Sequence, residues 1–237
     1  MPAVALVAVG GRRSETLALG QEFERRGFSG IWCPGMLADS LAHSTVDIPI
    51  GTAVQPIYAR PAADTAAIAA YVTELGGPRF RLGFGVSHVS LLESRGLPHG
   101  PPLDDMRAYV GAVRAAWPQG SEPNIVLAAL RNRMVDLAIE VDDGIIWGNG
   151  ALSAMGAALG RVPEDRRSSF ATWNQMATVI DDDAAATAER CRRWYHRDGA
   201  QRDQRARPWH AARAHPRQGR AVPRCPQGPD VAMRIAG

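Results

Sequence analysis

Short apolar runs alternate with longer segments whose apolar positions return every three or four residues, and this pairing recurs seven times along the chain. Residues 3–9 (AVALVAV) predict a short buried strand ending at Gly10 and Gly11. Ser14 can cap the helix that follows, with Glu15 in its first turn and Gly27 beyond its end. Residues 30–34 (GIWCP) predict the second strand and residues 48–57 the third. Pro61 opens the next helix where its missing N–H costs little, and Gly76 with Gly77 closes it. Residues 79–86 form the fourth strand, mixing β-formers with small residues as a sheet covered on both faces requires.

The helix predicted over residues 103–117 sets Met106, Val110, Val113 and Trp117 on one face. Asp104 and Asp105 in its first turn and Arg114 in its last follow the charge order that a helix dipole favours. Residues 124–130 (NIVLAAL) predict strand five, and the next helix aligns Met134, Leu137, Ala138 and Val141. Residues 144–147 and 170–180 predict strands six and seven, with Asp181 or Asp182 capping a helix from Asp183. Strand then helix, repeated, predicts an α/β fold with a parallel sheet and right-handed crossovers.

Near residue 190 the pattern stops. Residues 190–237 are dominated by Arg, Pro, Gly, Gln and His and keep no period of a helix or strand. The net charge of +3 averages two unlike segments. Residues 1–189 hold 15 Arg against 21 Asp and Glu, whereas residues 190–237 hold 12 Arg against three Asp. A shifted reading frame accounts for such a segment, since GC-rich codons read out of frame yield Arg, Pro, Ala and Gly. A native basic tail that binds nucleic acid or an anionic surface, or a disordered extension, are the alternatives. We therefore expect a domain over residues 1–189 and an irregular tail over 190–237.

The three cysteines, Cys33, Cys191 and Cys225, form neither a metal-ligand spacing nor an even disulfide set. Residues 3–9 are too short to span a membrane and lack a basic leader, so a cytoplasmic protein is expected.

If the units close into a barrel, ligands bind where the strands end. Those exits, around Gly10, Trp32, residues 52–57, 85–88, 128–130 and 147–150, are rich in Gly, small residues and aromatics and poor in charge. Such a surface suits a large planar heterocycle, whereas acid–base hydrolysis needs convergent carboxylates. Gly83 and Gly85 let backbone approach a flat ligand closely. His88 is the candidate proton donor or shuttle, or else a loop histidine bonded to a neighbouring carbonyl. Residues 51–57 equally read as a plain buried strand ending at a proline turn. Trp147, Gly148 and Asn149 are candidate lining residues; His43 and Trp32 are weaker ones.

GVSHVSLLESRGLPHGPPLDDMRAYV resembles the segment after the fourth strand of luciferase-like oxidoreductases, especially their deazaflavin (F420)-dependent branch. GFSGIWCP, IPIGTAVQPIYARP, RFRLGFG and VDDGIIW match further segments in the family's order, so the similarity spans roughly residues 4–189. The resemblance implies a TIM-type (β/α)8 barrel, incomplete here at about seven units. It implies F420 as cofactor, with FMN-dependent monooxygenation as the alternative, and a small organic substrate. It places Thr52, Ala53, Val54, Gln55, Gly85, Val86, Ser87, Trp147 and Gly148 at the cofactor, with His88 catalytic. It also implies a non-proline cis peptide somewhere in the third strand. An eighth unit missing after residue 190 would leave strand edges open for a homodimer or the tail to cover; the alternative is an inactive cofactor-binding remnant.

Overall fold

The computed structural model describes residues 3–5, 13–34, 38–118, 124–142, 144–148, 150, 152–175, 183, 185, 186, 188 and 189. The chain divides into two compact units, residues 1–175 and 176–237. In the second, Ala185, Ala186, Ala188 and Glu189 are helical, and Asp183 Oδ1 accepts from the N–H groups of Ala185 and Ala186 at 2.9 and 3.0 Å. The cap is therefore Asp183 itself; Asp181 and Asp182 lie outside the described residues.

The first unit is a parallel sheet with helices against its outer face. Its strands are β1 (Val4–Ala5), β2 (Ile31–Cys33), β3 (Ile50–Thr52), β4 (Gln55–Pro56), β5 (Phe80–Gly85), β6 (Asn124–Ala128), β7 (Gly144–Gly148) and β8 (Ala171–Gln175). They run in the order β1-β2-β3-β5-β6-β7-β8, with β4 pairing only to β5. β4 continues β3 after a break, so among the described residues seven barrel positions are filled and the fold is an incomplete TIM-type barrel.

The helices are α1 (Arg13–Arg25), α2 (Ala38–Ser44), α3 (Ala62–Gly76), α4 (Val89–Ser94), α5 (Pro102–Ala115), α6 (Asn132–Val141) and α7 (Leu152–Leu159). α1 begins at Arg13, so Ser14 lies inside its first turn rather than at the cap. Gly27 and Gly77 have φ of 74° and 56°, positive values that glycine adopts without a Cβ clash just past α1 and α3. On α5, Met106, Val110 and Val113 are buried as the period demands, while Trp117 lies past the helix end and is half-buried.

Strand alternation sorts the side chains into two layers. Phe80, Leu82 and Phe84 are buried on the helix side; the Phe84 ring meets that of Tyr109 of α5 edge-on at 5.3 Å. Ile125, Leu127 and Ile145 continue that layer through their register with β5. The alternate positions point inward, where Trp32, Val126 and Ile146 pack with Ala5, Ala53, Val54 and Trp173. The rings of Trp32 and Trp173 meet edge-on at 4.7 Å, and the Arg81 guanidinium lies 5.5 Å from the Trp173 ring centre.

Candidate functional site

The third strand breaks in a way the pairing makes visible. Gly51 pairs with Arg81 and Gln55 with Phe84, so three residues, Thr52, Ala53 and Val54, face two, Leu82 and Gly83. This one-residue surplus is a β-bulge. The Thr52 hydroxyl takes the place of the lost backbone ladder, accepting from Gly83 N–H at 2.7 Å and donating to Gly83 C=O at 2.9 Å. Ala53 N–H in turn donates to Cys33 C=O at 2.7 Å, tying the bulge to β2. A non-proline cis peptide bond joins Ala53 and Val54.

At the same height β5 has no side chains to offer. A Cβ at Gly83 would lie 2.0 Å from the Thr52 carbonyl oxygen, and one at Gly85 would lie 2.5 Å from Val54 Cγ2 and 3.5 Å from Ala128 Cβ. Val54, between β3 and β4, thus forms a close, uncharged floor with Gly85 and Ala128 at the C-terminal ends of β5 and β6. Beyond it the chain turns through Val86, half-buried, and Ser87, whose φ of 63° is uncommon outside glycine. His88 follows, exposed, and its carbonyl accepts the N–H groups of Leu91 and Leu92 at the start of α4.

The sequence candidates therefore fall into two groups. Ala53, Val54, Gly85, Val86, Ser87 and His88 come together at the strand ends, with Gly148 half-buried at the exit of β7. Thr52, Gln55 and Trp147 turn their side chains elsewhere. Thr52 is fully buried with its hydroxyl committed to Gly83. Gln55 shares the helix side with its partner Phe84 and donates to Pro56 C=O at 3.2 Å. Trp147 alternates with Ile146 and is buried on the helix side. Asn149 lies outside the described residues, but Gly150 beside it is held by Asn174, which accepts from its N–H at 2.9 Å and donates to its C=O at 3.1 Å. Trp32 is inner-barrel packing, and His43, near the end of α2, lies at the opposite pole from the strand exits.

Two residues outside those candidates shape the rim. Tyr58 follows β4 and donates to Asp105 Oδ2 at 2.6 Å, and the same oxygen accepts Gly100 N–H at 2.8 Å. Burial, reinforced by the Asp105 carboxylate, pushes the Tyr58 phenol up to about 12. A YARP-type turn gives no sign of an acidic partner 47 positions away, which is why the pair escapes a linear reading.

The floor is apolar and glycine-based, which fits a flat, neutral ring, and Ser87 and His88 follow Gly85 along the chain. Among the described residues no group of three His, Cys, Asp or Glu side chains could hold a metal ion, and no helix is long and apolar enough to cross a membrane. A hollow of ≈ 440 Å³ lies elsewhere, on the outer side of β8 between Leu159, Val162, Arg167, Phe170 and Thr172.

Barrel, bulge and glycine floor define a chain of the TIM-type class. The luciferase-like monooxygenase family model matches residues 4–229, and the chain belongs to that family. It is 26% identical over 152 residues to a 5,10-methylenetetrahydromethanopterin reductase of Methanolobus tindarius, covering 52% of this chain. The chain spans about half the length of that curated relative, 46%. In fold it is similar to the coenzyme F420 dependent tetrahydromethanopterin reductase of Methanopyrus kandleri, at a TM-score of 0.66 and 15% identity over 84% of this chain and 75% of that one. A monooxygenase from Streptomyces bottropensis is similar at a TM-score of 0.65 and 13% identity, over 84% of this chain and 78% of its own.

Proposed function

We propose that the chain is an oxidoreductase that holds coenzyme F420 at the strand-end mouth and exchanges a hydride with a small organic substrate. The observation that carries this reading is the floor of Val54, Gly85 and Ala128, where backbone and methyl groups offer a flat neutral surface in place of charge. The similarity to an F420 dependent reductase supports the cofactor. When bound, the deazaflavin ring supplies reversible two-electron hydride exchange.

The chain's own residues have three tasks. Ala53, Val54 and Gly85 would hold the cofactor and exclude water from it. The Val86 and Ser87 backbone and the Gly148 exit would help to hold it. His88 holds or moves the proton at the substrate oxygen that accompanies hydride transfer. Thr52, Gln55 and Trp147 support this floor from beneath and behind. We place these tasks in residues 1–189, with residues 190–237 contributing no group to them.

FMN-dependent monooxygenation is the second reading, favoured by the similarity to a monooxygenase of nearly equal TM-score. Titrating the purified chain with F420 and with FMN, in air and anaerobically, separates the two. The expected result is F420 binding with reduced cofactor that persists in air. Tight binding of FMN alone overturns the F420 assignment, and binding of neither leaves an inactive remnant of the family.

A further inference from the structure

The inner wall of the first unit can be followed from the floor to the last described strand. The would-be Cβ of Gly85 lies 3.5 Å from Ala128 Cβ, Ala128 pairs with Ile146, and Ile146 pairs with Trp173. Trp173, Ala53 and Val54 all pack against the cluster of Trp32, Val126 and Ile146, so this row and the floor are one surface. Two residues on, the next inward pair is Gly148 and Gln175, matched in register at the exits of β7 and β8. Alternation along β8 fixes the direction of Gln175, since Thr172 lines the outer hollow while Trp173 meets Trp32 inside. Gln175 is half-buried, and its partner Gly148 has no side chain to cover it. Arg81 and Asn124, the other polar residues at inward positions, pair with each other where β5 and β6 begin. Among the described strand residues, Gln175 is thus the one inward polar side chain at a C-terminal end.

We infer that Gln175 binds the imide edge of the planar ring, its amide nitrogen donating to a ring carbonyl and its amide oxygen accepting the imide N–H. The inference rests on the proposed function for the ring's place at the mouth. An imide presents acceptor, donor and acceptor in turn along one edge. A glutamine amide carries a donor and an acceptor side by side in one plane, which matches two neighbours on that edge. The floor of Val54, Gly85 and Ala128 offers no such pair, so it can hold the ring flat but cannot set its rotation in the plane. Gln175 supplies that setting. Flavin and deazaflavin share the imide, so the residue orients either ring.

The test is a calorimetric titration of the full-length chain with riboflavin and deazariboflavin, and with the same two rings methylated at the imide nitrogen. The parent should bind each unmethylated ring about tenfold more tightly than its methylated form. Gln175→Met, of similar length but without the amide, should lose that preference while the far-ultraviolet spectrum and melting curve stay as in the parent. Gln175→Glu keeps an acceptor for the imide N–H and no donor for the carbonyl. Both unmethylated rings should therefore bind it more weakly than they bind the parent, with the preference over the methylated rings retained. A side chain that only packs would give neither the preference nor this split between Met and Glu. Equal binding of methylated and unmethylated rings by the parent, or a preference undiminished in Gln175→Met, overturns the inference and leaves the proposed function standing. If neither unmethylated ring binds the parent, the proposed function falls and the inference falls with it.

Discussion

Gly83 and Gly85 occupy equivalent inward positions of β5, yet an added methyl meets a different obstacle at each. At Gly83 it collides with the Thr52 carbonyl oxygen, which is backbone and cannot give without parting β3 from β5. At Gly85 it meets Val54 Cγ2, a side chain. Gly83→Ala should therefore destabilise at or above the upper end of overpacking costs, about 3 kcal/mol, and Gly85→Ala by about 1–2 kcal/mol. Urea melts check both, and Val54→Ala should relieve the second but not the first. Thr52→Val keeps shape but strands a buried Gly83 N–H, at a cost of about 1–3 kcal/mol, whereas Thr52→Ser keeps the hydroxyl and most of the stability. The Tyr58 phenol, held up to about 12 by burial and Asp105, supplies a pH test. Its folded value exceeds its unfolded one, so its contribution is complete below about pH 10 and is lost as pH rises towards 12. Tyr58→Phe should remove both that alkaline loss and the latest phenolate component at 295 nm.

Between helix α2 and strand β3 the chain is clamped from two sides. Glu24 of α1 accepts the N–H groups of Val46, Asp47 and Ile48 at 2.7 to 3.1 Å. Arg79 donates to the carbonyls of Ala42, Thr45 and Ile48 and to the Thr45 hydroxyl, closing the end of α2. Burial pushes the Glu24 carboxyl up, but its three N–H donors outweigh this and leave it below the ordinary value of 4.5. A lowered folded pKa gives stability present above the unfolded value and lost on acidification. Glu24→Gln should cost about 1–3 kcal/mol at neutral pH, and its deficit should shrink as the parent is acidified below pH 4.5. None of this clamp was legible in the sequence, because its partners lie more than 20 positions apart. The strands themselves were legible, since apolar runs bounded by Gly and Pro leave little choice. The short helices α2 and α4 were not: α4 buries only Leu92 and so shows no stripe. The site was half legible. Strand exits marked the region of the bulge, but no charge, Gly or Pro interrupts residues 52–55, and nothing there announces the extra residue that turns Gln55 to the helix side. Trp147 was misplaced for a related reason: both faces of β7 are buried, so its side carries no polar signal.

Across the first unit β7 pairs with β8 over five residues and β5 with β6 over four, with β5, β6 and β7 covered on both faces, while β1 contributes two described residues. Amides of Leu82, Phe84, Leu127 and Ile145 should accordingly exchange with solvent last and together, and those of Val4 and Ala5 much sooner, as hydrogen exchange followed by mass spectrometry would report. Early exchange in β6 would contradict a core centred there. The two inner indoles, Trp32 and Trp173, have a further consequence. Chromophores this close and tilted by 62° couple as an exciton pair through their intense far-ultraviolet band, giving a signed couplet there. They come from opposite sides of the arc, the second strand and the last described one, so the couplet records whether the arc has curled, with no label attached.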